Sequence, residues 1–269
     1  MTTRLRVRRT NLVLVALALL WIYPVVWTLT NAVKNTADLY GGPLAMPIPP
    51  AFGNLAEAWN RANLGQALLN SAYVASLTVV GVLLLAIPAA FALTRLRPPG
   101  RAGLFLLILA PLIIPTEVLI VPLFSIYRTM GLINSLPGLA LVNVVFSVSF
   151  ATIILAGYFR RIPQDLIDAG RLDGAGRLAL LTSIAIPLAR PGIAVAMVQA
   201  VIATLNVFDQ PYVLNGAANT AASVTMQTYF ISFQDLDFGE GYALSLLITV
   251  VTLLVSLLVV GGVYRRVEL

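Results

Sequence analysis

Long apolar runs alternate along this chain with short polar breaks, and the breaks carry most of the arginines. The runs lie at about 11–33, 68–93, 103–127, 137–158, 191–208 and 242–264. Each approaches or exceeds the roughly 20 residues that an α-helix needs to cross the hydrocarbon core of a bilayer. Lipid offers no hydrogen-bond partners, so a spanning backbone must satisfy itself; helices do this, and strands do it only in closed barrels of short alternating segments. The pattern predicts an all-α membrane protein with six transmembrane helices, a single membrane domain over 1–269. The third run holds Pro111, Pro115 and Pro122 around Glu117. Proline removes a helical donor and crowds the preceding turn, so that span is expected to be kinked or locally unwound.

Charge placement sets the topology. The chain has 269 residues, 59% of them hydrophobic and 10% charged, with a net charge of +6 and a mean hydropathy of +0.92. Of its 17 Lys and Arg residues, all but Lys34, Arg61 and Arg128 fall before the first run, between the second and third, between the fourth and fifth, or after the sixth. Six spans with both termini in the cytoplasm satisfy the positive-inside rule. Five or seven would put Arg265 and Arg266 on the wrong side. The sequence pI of about 10.0 is thus mostly topology, and no nucleic-acid partner is expected. Arg4, Arg6, Arg8 and Arg9 ahead of an apolar run also resemble a signal peptide. Yet Asn11–Val33 is longer than the usual apolar region of about 7–15 residues, and Trp21, Tyr23, Pro24 and Trp27 are out of place in one. The absence of Cys and His excludes disulfides, thiolate or imidazole metal sites and His- or Cys-based catalysis.

The polar segments differ in character. The first outer loop, 34–67, is rich in Pro, Gly and Asn, then turns amphipathic through Leu55, Trp59 and Leu64, which predicts a short interfacial helix. In the basic turn 94–102, Pro98, Pro99 and Gly100 break the helix. The outer loop at about 209–241 holds Asp209, Asp235, Asp237 and Glu240 with no basic residue. The inner loop at about 160–190 is the most distinctive, because IPQDLIDAGRLDGAGRLALLTSIAIP, from Ile162 to Pro187, crowds acids, glycines and arginines between two apolar spans. Pro163 suits a first helical position, and Asp165 and Asp168 fall where the helix dipole favours negative charge. Leu166, Ile167, Ala169 and Leu172 add apolar surface, and Gly170 and Gly174 are the expected breaks between two short helices. Either a partner's cleft buries that surface, or the helix rests on lipid headgroups.

The spacing in this loop resembles the cytoplasmic coupling loop of binding-protein-dependent ATP-binding-cassette importer permeases: EAA, three residues, G, nine residues, I-x-L-P. Asp168, Ala169 and Gly170 stand at EAA, Gly174 follows after three residues, and Ile184, Ile186 and Pro187 close the pattern after nine more. Asp replaces Glu, Gly the second Ala and Ile the Leu. PIPPAFGNLAEAW (47–59), LLNSAYVASLTVVGVLLLAIPAAFALTRL (68–96), IIPTEVLIVPLF (113–124) and the run 131–163 resemble the six-span subunit of the carbohydrate, maltose-type branch. FDQPYVLNGA (208–217) and FQDLDFGEGYALSL (233–246) are closer to its companion subunit.

The resemblance implies a type I importer permease fold in a bacterial or archaeal plasma (inner) membrane, with a cytoplasmic coupling helix. It implies a second permease subunit, two cytoplasmic ATPases and an extracytoplasmic solute-binding protein as partners, with membrane lipid around them. ATP and magnesium would bind in the ATPases, and this chain, which lacks a G-x-x-x-x-G-K-[ST] phosphate loop, would be non-catalytic, with no cofactor or metal of its own. Asp168, Ala169, Gly170, Asp173, Gly174 and Pro187 are the expected ATPase contact, and 211–240 the segment reaching the binding protein. Glu117, Asn206 and Asp209 are weaker candidates for the solute path. Glu117 is ionisable inside a span, a placement that costs roughly 2.5–3.5 kcal/mol in lipid, so it should face the bundle or a wet cavity; bridging backbone freed by the prolines is its other reading. A sugar or sugar derivative is the expected solute. An amino-acid or phosphate permease is the near alternative, and a stand-alone secondary transporter the distant one, since paired halves and several buried ionisable groups are missing.

Overall fold

The computed structural model describes residues 2–42, 45–215 and 223–264, and their side chains apart from those of 2–10, 36 and 215. The side chains of Arg4, Arg6, Arg8 and Arg9, the residues Arg265 and Arg266, and positions 216–222 of the outer segment 211–240 lie outside this description. In chain order come α1 (Thr2–Asn31), α2 (Thr36–Tyr40), α3 (Gly53–Arg61), α4 (Leu64–Phe91), α5 (Arg101–Ile113), α6 (Thr116–Thr129), α7 (Leu136–Arg161) and α8 (Gln164–Leu172). Then follow α9 (Arg177–Ala179), α10 (Ile186–Leu188), α11 (Arg190–Asn206), α12 (Asp209–Asn215), α13 (Val224–Tyr229) and α14 (Phe238–Val263). Wider π-helical turns extend α4 through Ala92–Leu96, join α9 to α10 through Leu180–Ala185 and follow α13 at Phe230–Gln234. There is no strand among the described residues.

Among the described residues, four continuous helices are long and apolar enough to cross a membrane: Asn11–Asn31, Leu64–Leu96, Leu136–Arg161 and Phe238–Val263. The third expected span is a bent pair instead, Arg101–Ile113 with Thr116–Thr129 at 98°, whereas the fifth, expected at 191–208, is the helix Arg190–Asn206, set off at 79° from Arg177–Leu188 of the preceding loop. The first bend is sharper than a kink. Ile114, the residue before a proline, is extended at φ −89°, ψ 120°, and Pro115 begins the next helix without an N–H. Of the three prolines in that run, Pro115 makes the break, while Pro111 and Pro122 are carried inside α5 and α6. The second bend sits at Ala189, where Pro191 has no N–H to offer the carbonyl of Pro187.

The chain forms two compact units, one of 1–65 and 227–249, the other of 66–226 and 250–269. In the first, the turn after α1 is tied to the start of α3: Ala51 N–H donates to the Val33 carbonyl at 2.8 Å, and the Asn54 amide donates to Ala32 at 3.2 Å and Lys34 at 2.8 Å. Lys34 is buried, with its ammonium 5.5 Å from the Trp27 ring centroid, where the ring face attracts the charge. The short helix expected in the first outer loop is α3. It packs through Ala58, and Trp59 points outward.

The second unit is built around α7. Val82, Ala86, Ala90 and Phe91 of α4 and Ile193, Ala196 and Ala200 of α11 share one apolar core with Val144, Ala151, Leu155, Ala156 and Phe159 of α7. Small residues dominate this packing, as expected where lipid removes the hydrophobic drive and close backbone approach supplies the attraction. A Cβ on Gly81 would sit 2.6 Å from a methyl of Val144, and one on Gly192 2.5 Å from the Tyr158 ring. Gly192→Leu should therefore cost about 1–3 kcal/mol through overpacking. The detergent-solubilised protein should melt lower by roughly 2–4 °C for each kcal/mol, with part of the loss restored by adding Tyr158→Ala. An unchanged melting temperature would contradict this packing.

Candidate functional site

The inner segment folds as a short amphipathic helix, α8, fastened at both ends. It begins after Pro163, whose φ of −55° leads into the first turn, and carries Asp165 there. At its C-terminus the Ala175 N–H donates to the Gly170 carbonyl at 2.9 Å and the Gly174 N–H to Arg171 at 3.0 Å. This double bond satisfies two orphan carbonyls and requires the left-handed residue that Gly174 provides at φ +82°. Gly174 is thus a break, as its position predicts. Gly170 is not: it lies inside α8, where a Cβ would come within 2.8 Å of Ile184 and 2.9 Å of Leu180. Its lack of a side chain lets α8 lie against the segment that follows.

The two faces of α8 have different fates. Ile167, expected on the surface, is 1% exposed and joins the core with Phe159, Leu180 and Ala185. Burying such a side chain stabilises by about 1.5–3 kcal/mol. Leu166, Leu172 and Leu178 stay outside, Leu172 at 89% exposure. Asp165, Asp168, Ala169, Asp173 and Gly174 share that outer surface, and Pro187 is half-buried. Asp168 accepts from the Arg171 guanidinium at 3.0 Å and the Gln164 amide at 3.1 Å. Exposed pairs of this spacing are worth about 0.3–0.5 kcal/mol, so the carboxylate is held in place without being locked there.

Arg95 is the residue that charge counting missed. From the π-helical end of α4 its guanidinium donates to the Phe159 carbonyl at 3.0 Å and to the Gln164 side-chain oxygen at 3.0 Å, with further bonds from its terminal nitrogen to the carbonyls of Phe159 and Ile162. It thereby fills orphan acceptors at the C-terminus of α7, where a cation also suits the helix dipole. A continuous chain of bonds runs Arg95–Gln164–Asp168–Arg171, from a membrane helix to the exposed acid. An open cleft of about 660 Å³, lined by Arg95, Arg97, Arg160, Arg161, Gln164 and Arg171, runs beside α8. The sequence signal was TRLR at the end of a span, which reads equally well as plain topology.

The remaining candidates do not gather. Glu117 lies in the first turn of α6 just past the Pro115 break, exposed on the surface of this chain and without a hydrogen-bond or ion-pair partner among the described residues. It therefore does not bridge the freed backbone. Asn206, exposed at the end of α11, donates to its own Ile202 carbonyl at 2.9 Å, and half-buried Asp209 opens α12. A pocket of about 20 Å³, room for one water, lies near this junction among Asn70, Ser71, Asn143, Thr204 and Ser223, and none of the three candidates lines it. In the loops expected outside, Arg61 of α3 answers the acids that sequence left unpaired, reaching Asp235 at 2.8 Å, Glu240 at 3.2 Å and Asp237 at 3.5 Å. Desolvation lowers its basicity, but the three carboxylates outweigh that and hold its pKa above the ordinary value. Asp237 also caps α14, accepting from the Glu240 N–H at 3.2 Å.

Known proteins share the fold and much of the sequence. The family described as "Binding-protein-dependent transport system inner membrane component" matches residues 82–268. The diacetylchitobiose uptake system permease protein NgcG of Streptomyces coelicolor is 34% identical over 262 residues, covering 93% of this chain and 83% of that protein. The trehalose transport system permease protein SugB of Mycobacterium tuberculosis is 33% identical over 177 residues, covering 66% of this chain and 64% of that protein. A solved chain from a bacterial ABC transporter involved in the import of the acidic polysaccharide alginate superposes with a TM-score of 0.74 at 21% identity, covering 98% of each chain. With an apolar six-run pattern, an anchored inner helix and this match over most of its length, the chain belongs to the inner-membrane permease components of binding-protein-dependent ABC importers.

Proposed function

We propose that this chain is a membrane subunit of an ATP-driven importer for a sugar or sugar derivative, and that α8 couples it to the ATPase. The observation that carries this is the contrast between the two faces of α8. Its inner face is fastened by Ile167, Gly170 and the Arg95–Gln164 bond, and its outer face offers Asp168, Ala169, Asp173, Leu166 and Leu172 to a partner. A lever needs both properties. If the helix were loose, motion of a docked partner would be absorbed locally; fastened to α4 and α7, it passes to the spans. The links from relatives' names to sugars support the solute class.

In this reading residues 1–269 act as one permease domain beside a second permease subunit, with two cytoplasmic ATPases hydrolysing ATP and an extracytoplasmic binding protein delivering solute. Nucleotide and loaded binding protein act on one conformational equilibrium, and each must favour the same outward-facing state to be coupled. The segment 211–240, stiffened where Arg61 gathers Asp235, Asp237 and Glu240, reaches towards the binding protein. Glu117, Asn206 and Asp209 serve the solute path, Glu117 at a place where the broken helix leaves backbone groups open. Both termini lie in the cytoplasm.

Asp168→Lys puts a cation where the outer face of α8 carries its acid. Uptake in whole cells should fall by about 5- to 150-fold, the range given by a loss of 1–3 kcal/mol of coupling, with the protein inserted at its normal level. Normal uptake in that variant would contradict the coupling role. Topology is testable separately, because the chain contains no native cysteine. Pro99→Cys should react with a membrane-impermeant maleimide only from the cytoplasmic side and Leu236→Cys only from outside. Labelling of both from one side would overturn the six-span arrangement.

A further inference from the structure

The arginines at the cytoplasmic ends of the membrane helices include three that the coupling site does not use in any bond to α8. Arg97, Arg101 and Arg160 line a cleft of about 470 Å³ whose wall is Leu93, Ala102 and Phe105. The cleft lies where Leu64–Leu96 ends, where Arg101–Ile113 begins and where Leu136–Arg161 ends, and span ends are where lipid headgroups are met. None of the three guanidinium groups pairs with a carboxylate among the described residues, and Arg97 makes only a 3.3 Å bond to the Thr94 carbonyl. Three like charges converge on one cleft with no counter-charge.

Local rules are broken here in a consistent direction. Arg101 is the first residue of α5, the end of a helix at which a cation is disfavoured, and no acidic residue stands in that first turn. Gly100 caps α5 without a side-chain hydrogen bond to its leading N–H groups. Arg97 holds a left-handed backbone at φ 47°, a conformation costly for a long side chain. An anion seated in the cleft would relieve the first two conflicts at once, meeting the open end of α5 and the arginines around it. The wall of Leu93 and Phe105 beneath the charges calls for an anion with an apolar continuation.

We propose that this cleft binds the headgroup of an anionic phospholipid, its phosphate between Arg97, Arg101 and Arg160 and its acyl chain along Leu93 and Phe105. Arg97 and Arg160 also border the cleft beside α8, and Arg101 is the arginine that lines this cleft and not that one. Such a lipid would also join the end of α4 to the start of α5 across the Pro98–Pro99 turn.

The test is native mass spectrometry of the purified complete importer titrated with dioleoyl phosphatidylglycerol or dioleoyl phosphatidylcholine. Phosphatidylglycerol should bind preferentially, and R101Q and R160Q should each weaken it by about fivefold, the contribution of one basic residue beside an anionic lipid, leaving phosphatidylcholine binding unchanged. R101K and R160K, which keep the charge, should retain the preference and guard against a folding defect. R190Q, which removes a charge on the same face outside the cleft, should leave it intact. Equal binding of the two lipids would overturn the proposal, as would an equal loss in R190Q, which would mean a diffuse basic surface. Competition by inorganic phosphate alone at the same site would overturn it in favour of a free-anion site. Unchanged lipid binding in R101Q and R160Q with loss of the ATPase would assign the cleft to a protein partner.

Discussion

The coupling role proposed for this chain depends on how one arginine meets the unsatisfied end of a membrane helix. The last carbonyls of α7 lack the donors that a continuing helix would give them, Phe159 keeping only the long 3.3 Å bond from Ile162 N–H, and at the membrane face a helix end without partners is costly. Arg95 supplies them from the neighbouring span and, with its remaining nitrogen, holds Gln164 in the first turn of α8. One side chain therefore joins two spans to the inner helix. Ile167 and the glycine at 170 complete the attachment by packing α8 onto Leu180 and Ile184. What protrudes is the part that a partner would read, and it protrudes from a rigid base.

Much of this was legible from sequence. Spans one, two, four and six follow from apolar length alone, and the helix break at Gly174 from the glycine itself. The third span was harder. Its prolines predict distortion, but hydropathy averages over the break, so a bend of 98° is invisible to it. Ile167 and Gly170 were misassigned for a common reason. A short helix beside a membrane protein core buries one face, and which face is set by the segment at 180–185 folding back on it, a contact that periodicity within nine residues of α8 cannot reveal.

Arginine caused the other misses. Counted as topology, Arg95 and Arg97 look alike and Arg61 is merely one of three exceptions, since the positive-inside rule concerns only the side of the membrane. The structure gives them separate tasks: Arg95 closes a helix end, Arg97 borders an unpaired basic cleft, and Arg61 gathers three acids more than 170 positions away in the chain. Their partners are carbonyls or distant loops, which no local motif encodes. The same limit applies to Glu117, whose surroundings within this chain are open and whose neighbours belong to whatever covers the broken third span.

The account stands or falls on what touches the outer face of α8. Leu172, the most exposed apolar residue there, can be changed to the chain's only cysteine, labelled with a maleimide carrying a benzophenone, and photocrosslinked to its neighbours in the native membrane. The account predicts a crosslinked product containing a cytoplasmic subunit with a nucleotide phosphate loop, and a change in its yield when ATP is added. A product formed only between copies of this chain, or none with any ATP-binding protein, would contradict it.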